Sequence, residues 1–213
     1  MPKTKTAHAQ HAVRIIGGRY KRSKLPVADA PGLRPTPDRV RETLFNWLGQ
    51  DLSGWHCLDA FAGTGALGFE AASRGAASVL LIESAPALAH SLRQTQVRLA
   101  IPNVQIQCGD ALLALRRIPP ASLDLIFIDP PFAAGLFQAA LEAARPALKP
   151  NGCLYLEAPR AFGADALAAL GWQLRRHARA GQVHAHLVQP RDPDRSSRGE
   201  PAGPGEHGCR GGD

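Results

Sequence analysis

Residues Leu123 to Phe132 read L-D-L-I-F-I-D-P-P-F. The run Leu125-Ile126-Phe127-Ile128 is apolar without alternation, the pattern of a strand covered on both faces, as in a parallel sheet between helix layers. Asp129 and two prolines end it. Proline has no N–H for a ladder and a fixed φ, so the chain must leave the sheet stiffly just after Asp129. Open parallel sheets bind ligands at the carboxyl ends of their strands. Asp129, the Pro130 carbonyl and the Phe132 ring are therefore expected side by side at the mouth of a crevice, with Pro131 stiffening the corner. That set suits an exocyclic amine on a base: two acceptors for its two N–H groups, and a ring to stack on its face. The plain alternative is a turn that closes a strand, with Phe132 in the core; four residues alone do not separate the two.

Upstream, residues 59–68 read D-A-F-A-G-T-G-A-L-G. Gly63, Gly65 and Gly68 fit G-x-G-x-x-G, and Glu83 ends the next apolar run, which together also make the dinucleotide fingerprint. The glycines allow a backbone to approach a ligand closely, and a carboxylate at the second strand end suits ribose hydroxyls, so NAD(P) is an open reading. Asp59, however, precedes the glycines, where a carboxylate repels a pyrophosphate and attracts an ammonium. Asp110, after the third strand, can accept from an adenine amine. Carboxylates at three successive strand ends favour a cationic cofactor without phosphate, S-adenosylmethionine, and D-P-P-F at the fourth strand end strengthens that reading.

Around these motifs the chain alternates strictly. Strands are predicted over 55–60, 78–82, 104–108, 123–128 and 153–157, with helices over 66–74, 86–99, 111–117, 136–148 and 164–170 between and after them. Two last strands, 172–179 and 182–189, are separated by Ala180-Gly181 and read as an antiparallel hairpin. The fold expected is α/β: a doubly wound, mostly parallel seven-stranded sheet with an antiparallel last strand pair. Four parts are expected: a disordered 1–12, a basic appendage 13–49, a catalytic domain 50–190, and a disordered tail from 191 rich in Pro, Gly, Ser and charge.

The chain has 213 residues, 45% hydrophobic and 20% charged, ordinary for a globular protein. It shows no apolar run long enough to span a membrane and no secretory leader, so a cytoplasmic monomer is expected. Cys57, Cys108, Cys153 and Cys209 form no C-x-x-C pair; three lie in apolar runs and read as small buried thiols. His184 and His186 alternate on one strand face, but no third ligand stands near them in sequence, so no metal site is expected. The net charge is +7, and the first 50 residues, with ten Lys/Arg against three acids, hold all of it. A localised positive field points to a polyanion, with nucleic acid as the leading partner. Apolar Ile15, Ile16, Tyr20, Leu25 and Val27 interleave with these bases, which predicts two short strands with Gly17-Gly18 in a bulge or turn. A helix follows, with Thr36 as N-cap, Pro37 in its first turn and Val40, Leu44, Trp47 and Leu48 on one face. The candidate RNA contacts are Arg14, Arg19, Lys21, Arg22, Lys24, Arg34, Thr36 and Arg39.

The chain resembles the bacterial RsmD-like family of small-subunit ribosomal RNA guanine-N2 methyltransferases. The resemblance rests on R-I-I-G-G-R-Y-K-R-S-K-L-P-V (14–27), G-L-R-P-T-P-D-R-V-R-E-T-L-F-N-W-L (32–48), L-D-A-F-A-G-T-G-A-L-G-F-E-A-A-S-R-G-A (58–76), D-P-P-F (129–132) and R-A-G-Q-V (179–183), in order over about residues 13–190. It implies a class I methyltransferase fold, S-adenosylmethionine as donor, and a guanine of 16S rRNA, within the small subunit or its assembly intermediate, as acceptor. It further implies that Asp59, Phe61, Gly63, Gly65, Glu83 and Asp110, with Thr64 and Ala111 beside them, contact cofactor, and that Asp129 to Phe132 hold the base. The tail after Pro190 departs from the family pattern. Two other readings stand beside this one. The motif suits any exocyclic amine, including adenine N6 in DNA, and a nonenzymatic RNA-binding factor would keep the basic segment without a working cofactor loop.

Overall fold

A computed structural model describes residues 12–27, 37–132 and 135–191. Two short strands, β1 (Ala12–Arg14) and β2 (Lys24–Pro26), pair antiparallel. Helix α1 (Asp38–Trp47) leads into the alternating part: β3 (His56–Asp59), α2 (Ala66–Ser73), β4 (Ser78–Glu83), α3 (Pro86–Leu99), β5 (Val104–Cys108), α4 (Ala111–Leu115), β6 (Leu123–Ile128), α5 (Phe137–Ala144). A 3-10 turn at Arg145–Ala147, β7 (Leu148–Ala158), α6 (Ala164–Ala169), β8 (Trp172–Ala180) and β9 (Val183–Pro190) complete it. Seven strands form one sheet in the order β5-β4-β3-β6-β7-β9-β8.

The run at 123–128 is the hinge of that order. β6 pairs in parallel with β3 on one side and β7 on the other, so both its edges are bonded, and helices cover both its faces. Leu125 and Phe127 point into a core shared with α1, α2, α3 and the β1–β2 hairpin. Ile126 and Ile128 point into a second core with α4, α5 and α6. Leu125 to Ile128 are fully buried, which is why that run lacks polar alternation, while Asp124 near the strand's start is partly exposed. β9 runs antiparallel between β7 and β8, so β8 points the same way as β7.

Several expectations are corrected. α1 begins at Asp38, with Pro37 rather than Thr36 at the N-cap position and no side-chain cap. β7 starts at Leu148, not Cys153, after a register shift in its pairing with β6; Pro150 falls in this irregular part, where a missing N–H is tolerated. The predicted helix 136–148 ends early, as the 3-10 turn carries Pro146. Cys57 and Cys153 are buried thiols, but Cys108 is exposed near the end of β5, the edge strand. The expectations for 1–11, 28–36 and 192–213, including Arg34, Thr36 and Cys209, lie outside the described residues. Among the described residues no helix is long and apolar enough to cross a membrane.

Candidate active site

Each of five neighbouring parallel strands ends in a carboxyl group. In sheet order these are Asp110 after β5, Glu83 on β4, Asp59 on β3, Asp129 after β6 and Glu157 on β7. The pairings Glu83 with Cys108, Asp59 with Phe127 and Ile128 with Leu156 put them along one rim.

Asp59 is only 2% exposed. Its Oδ2 accepts the Gly68 N–H of α2 at 3.1 Å. Burial pushes its carboxyl up to about 7 against that hydrogen bond, with Glu83 and Glu157 adding like charge. Asp59 thus lies beneath the glycine loop and ties α2 to β3. Glu83 accepts the Gly63 N–H at 2.9 Å on one oxygen and the Ala85 N–H at 2.8 Å on the other. A carboxylate has about four acceptor positions, so Glu83 keeps capacity for ligand hydroxyls. Asp110 is exposed and caps α4, accepting the Leu113 N–H at 2.8 Å, with Ala111 buried behind it.

The glycines act on the protein more than on open space. Gly65 has φ +75°, and a Cβ there would stand 2.6 Å from Phe69 and 2.7 Å from Leu92. A Cβ on Gly68 would stand 2.0 Å from Leu81. These two let α2 seat against the sheet, which turns the half-buried Phe61, Gly63 and Thr64 outward as a lip. No basic side chain lies in the loop 59–68, and the carboxyl groups of Asp59 and Glu83 beneath and beside it disfavour a pyrophosphate. Carboxyl groups around a loop without basic side chains fit a cofactor bearing positive charge and hydroxyls, and the residues present therefore fit S-adenosylmethionine.

Asp129 is half-buried beside them. Burial first, then the charges of Glu157 and Asp59, hold its carboxyl well above the usual carboxylate range. Pro130 is buried, Pro131 exposed, and Phe132 is 40% exposed, so the ring is not core. Glu157 is the functional candidate that sequence reasoning passed over. It is buried and accepts the Tyr155 O–H at 2.9 Å. Its signal was available: it ends a strand as Glu83 does.

The basic candidates are placed less uniformly. Arg14, Arg19, Lys21, Arg22, Lys24 and Arg39 are all exposed. The turn joining β1 and β2 is clamped on α2: Glu70 accepts the Ile16 and Gly17 N–H groups at 2.8 and 2.7 Å, and the Ser73 carbonyl accepts Arg19 N–H at 2.7 Å. α2 runs back from the rim, and its end meets the start of β3 through Leu52 N–H to Arg74 O. Arg19, Lys21 and Arg22 therefore sit at the end of the sheet opposite the carboxylates. Arg41, grouped in sequence with the basic cluster, is fully buried between Asp38 and Glu70. A third histidine, His177 of β8, does join His184 and His186, but His177 and His184 bond each other at 3.0 Å and His186 Nε2 accepts the Phe162 N–H at 3.0 Å. Among the described residues no cluster could hold a metal ion.

A family model described as conserved hypothetical protein 95 matches residues 13–189. The chain is 42% identical over 185 residues to ribosomal RNA small subunit methyltransferase D of Escherichia coli, covering 83% of this chain and 89% of that protein. It is 37% identical over 194 residues to the protein of the same name in Haemophilus influenzae, covering 89% of this chain and 100% of that one. The solved structure of yhhF from Escherichia coli superposes with a TM-score of 0.73 at 36% identity, over 85% of this chain and 99% of that one. The sheet order is that of a class I methyltransferase fold, and the chain belongs to the ribosomal RNA small subunit methyltransferase D family.

Proposed function

We propose that the protein transfers a methyl group from S-adenosylmethionine to the exocyclic N2 of a guanine in 16S rRNA, in the cytoplasm, during assembly of the small ribosomal subunit. The observation that carries this is the position of Asp129 with its exposed neighbour Phe132, one strand from the Asp59 loop, in a row of carboxyl groups along one rim. The cofactor supplies a methyl group on a positive sulfonium, so that a C–N bond forms as a C–S bond breaks. Asp59 and Glu83 shape and charge its seat, Glu83 with Asp110 taking polar groups. The guanine amine is a poor nucleophile because its lone pair is delocalised into the ring. Asp129 and the Pro130 carbonyl accept its two N–H groups, turn the lone pair toward the methyl and stabilise the positive charge that grows on nitrogen; that charge is discharged when the nitrogen releases one N–H proton through the Asp129 carboxylate to water. Phe132 stacks on the base once it leaves its helix. Residues 13–49 form a basic appendage that holds RNA away from the rim.

The test is tritiated methyl transfer to small subunits and to naked rRNA, followed by nucleoside mapping. Asp129→Ala should lower turnover by roughly 100-fold or more with cofactor affinity nearly intact. Label in DNA adenine, or normal turnover in the variant, would defeat the assignment.

A further inference from the structure

The bases that sequence reasoning identified leave the rim itself poorly supplied, since Arg19, Lys21 and Arg22 lie at the far end of the sheet. Another surface lies at the near end. Phe132, beside Asp129, is 6.2 Å from Phe137 between ring centroids, and Phe137 is 6.1 Å from Phe162. The Arg160 guanidinium stands 5.8 Å over the Phe162 ring. Arg179 of β8 pairs with His184 of β9, which pairs with Ala158 at the end of β7, so the β8–β9 tip rises at the rim. Arg160 and Arg179 are exposed, and no ion pair among the described residues involves either. Residues 158–191 hold five arginines and a single acid, Asp165; the overall neutrality of residues 51–213 conceals this.

We propose that the strip from Phe132 through Phe137 and Phe162 to Arg160 and Arg179 is a second RNA-docking surface, which receives the single-stranded nucleotides flanking the target base. The exposed Phe132 ring, backed by the uncovered parts of the half-buried Phe137 and Phe162, gives bases a stacking platform, and arginines beside it take the phosphates; such pairing binds single strands with little sequence preference. Arginine on β8, an edge strand, also discourages edge-to-edge association, but Arg160 is not on that edge; Phe137 and Phe162 rest on the core with one side and keep part of the ring uncovered. The inference rests on the proposed activity, because it supplies the near-site contacts that a flipped base requires.

The test compares wild type with the double variant Arg160→Gln, Arg179→Gln, and with Phe162→Leu, for binding of a single-stranded RNA oligonucleotide and of naked 16S rRNA across a salt series, with cofactor affinity measured alongside. The double variant should lower the slope of log affinity against log salt by roughly 1 to 2. Phe162→Leu should weaken oligonucleotide binding about 10-fold, and Phe162→Tyr should not. Cofactor affinity should stay at the wild-type value in all three. Unchanged oligonucleotide affinity and slope in both variants would overturn the proposal. So would normal binding of naked rRNA combined with lost activity on protein-containing subunits, which would make the strip a protein-docking face. If wild type itself binds no RNA, it is the proposed activity that fails.

Discussion

Two acids, the buried Asp59 and the half-buried Asp129, set the residue-scale behaviour. Unfolded, Asp59 titrates near 3.8; folded, burial moves it to about 7. Between those values the folded protein keeps a proton that the unfolded chain releases. The stability linked to this group is therefore complete below about pH 4 and is lost as pH rises through 7. A shift of this size corresponds to on the order of 4 kcal/mol. Urea denaturation of the protein without cofactor should thus show lower stability at pH 8 than at pH 5, and Asp59→Asn, which keeps an acceptor for the Gly68 N–H, should flatten the difference. An equal slope in the variant would place the effect on another group. Asp129 titrates upward for the same first reason, burial, with Glu157 and Asp59 adding repulsion. Its ionised form is the useful acceptor, so the methylation rate should rise with pH across a range above that of ordinary carboxylates.

At the scale of elements, α2 joins the cofactor loop to the basic hairpin. Its first half is tied to Asp59 through Gly68, and its second half holds the hairpin through Glu70 and Ser73. Glu70 is fully buried and also bonds Arg74 at 2.8 Å and Arg41 at 3.5 Å. Glu70→Ala strands a buried guanidinium and two N–H groups, so a loss of about 3–5 kcal/mol is expected, read as a drop in Tm together with new protease cleavage within 15–27. Intact resistance to cleavage would show that the hairpin holds by its apolar contacts, Ile15 and Leu25, alone. The elements themselves were legible in the sequence: α3, β5 and β6 fall on the predicted residues because an N-terminal proline, the alternation of V-Q-I-Q-C and the unbroken apolar run of L-I-F-I are local signals. What was not legible depends on long-range partners. Nothing local in F-E-A-A-S says that Glu70 takes two N–H groups from more than fifty residues away, and nothing in C-L-Y-L-E says that Glu157 lies against Asp129. The placement of β9 between β7 and β8 is likewise a matter of sheet order, not of strand pattern.

Over the whole molecule, positive charge is divided between the two ends of the sheet. The hairpin turn, with Arg19, Lys21 and Arg22, lies beyond the starts of the strands, while Arg160 and Arg179 lie at their ends. A six-residue strand spans about 20 Å, so RNA touching both must extend well past the target base. The length of the RNA then becomes the variable that separates the two surfaces. Replacing Arg19, Lys21 and Arg22 by Gln should leave binding of a short oligonucleotide around the target unchanged. It should weaken binding of full-length 16S rRNA and lower its salt slope by roughly 2 to 3, because three phosphate contacts are lost. Cofactor affinity should not move, since the turn meets α2 at the end away from the glycine loop. Equal losses on short and long RNA would mean that the turn reaches the target directly, contrary to its place behind the sheet. No loss on either would leave the hairpin as a brace for α2 and put RNA recognition on the rim alone.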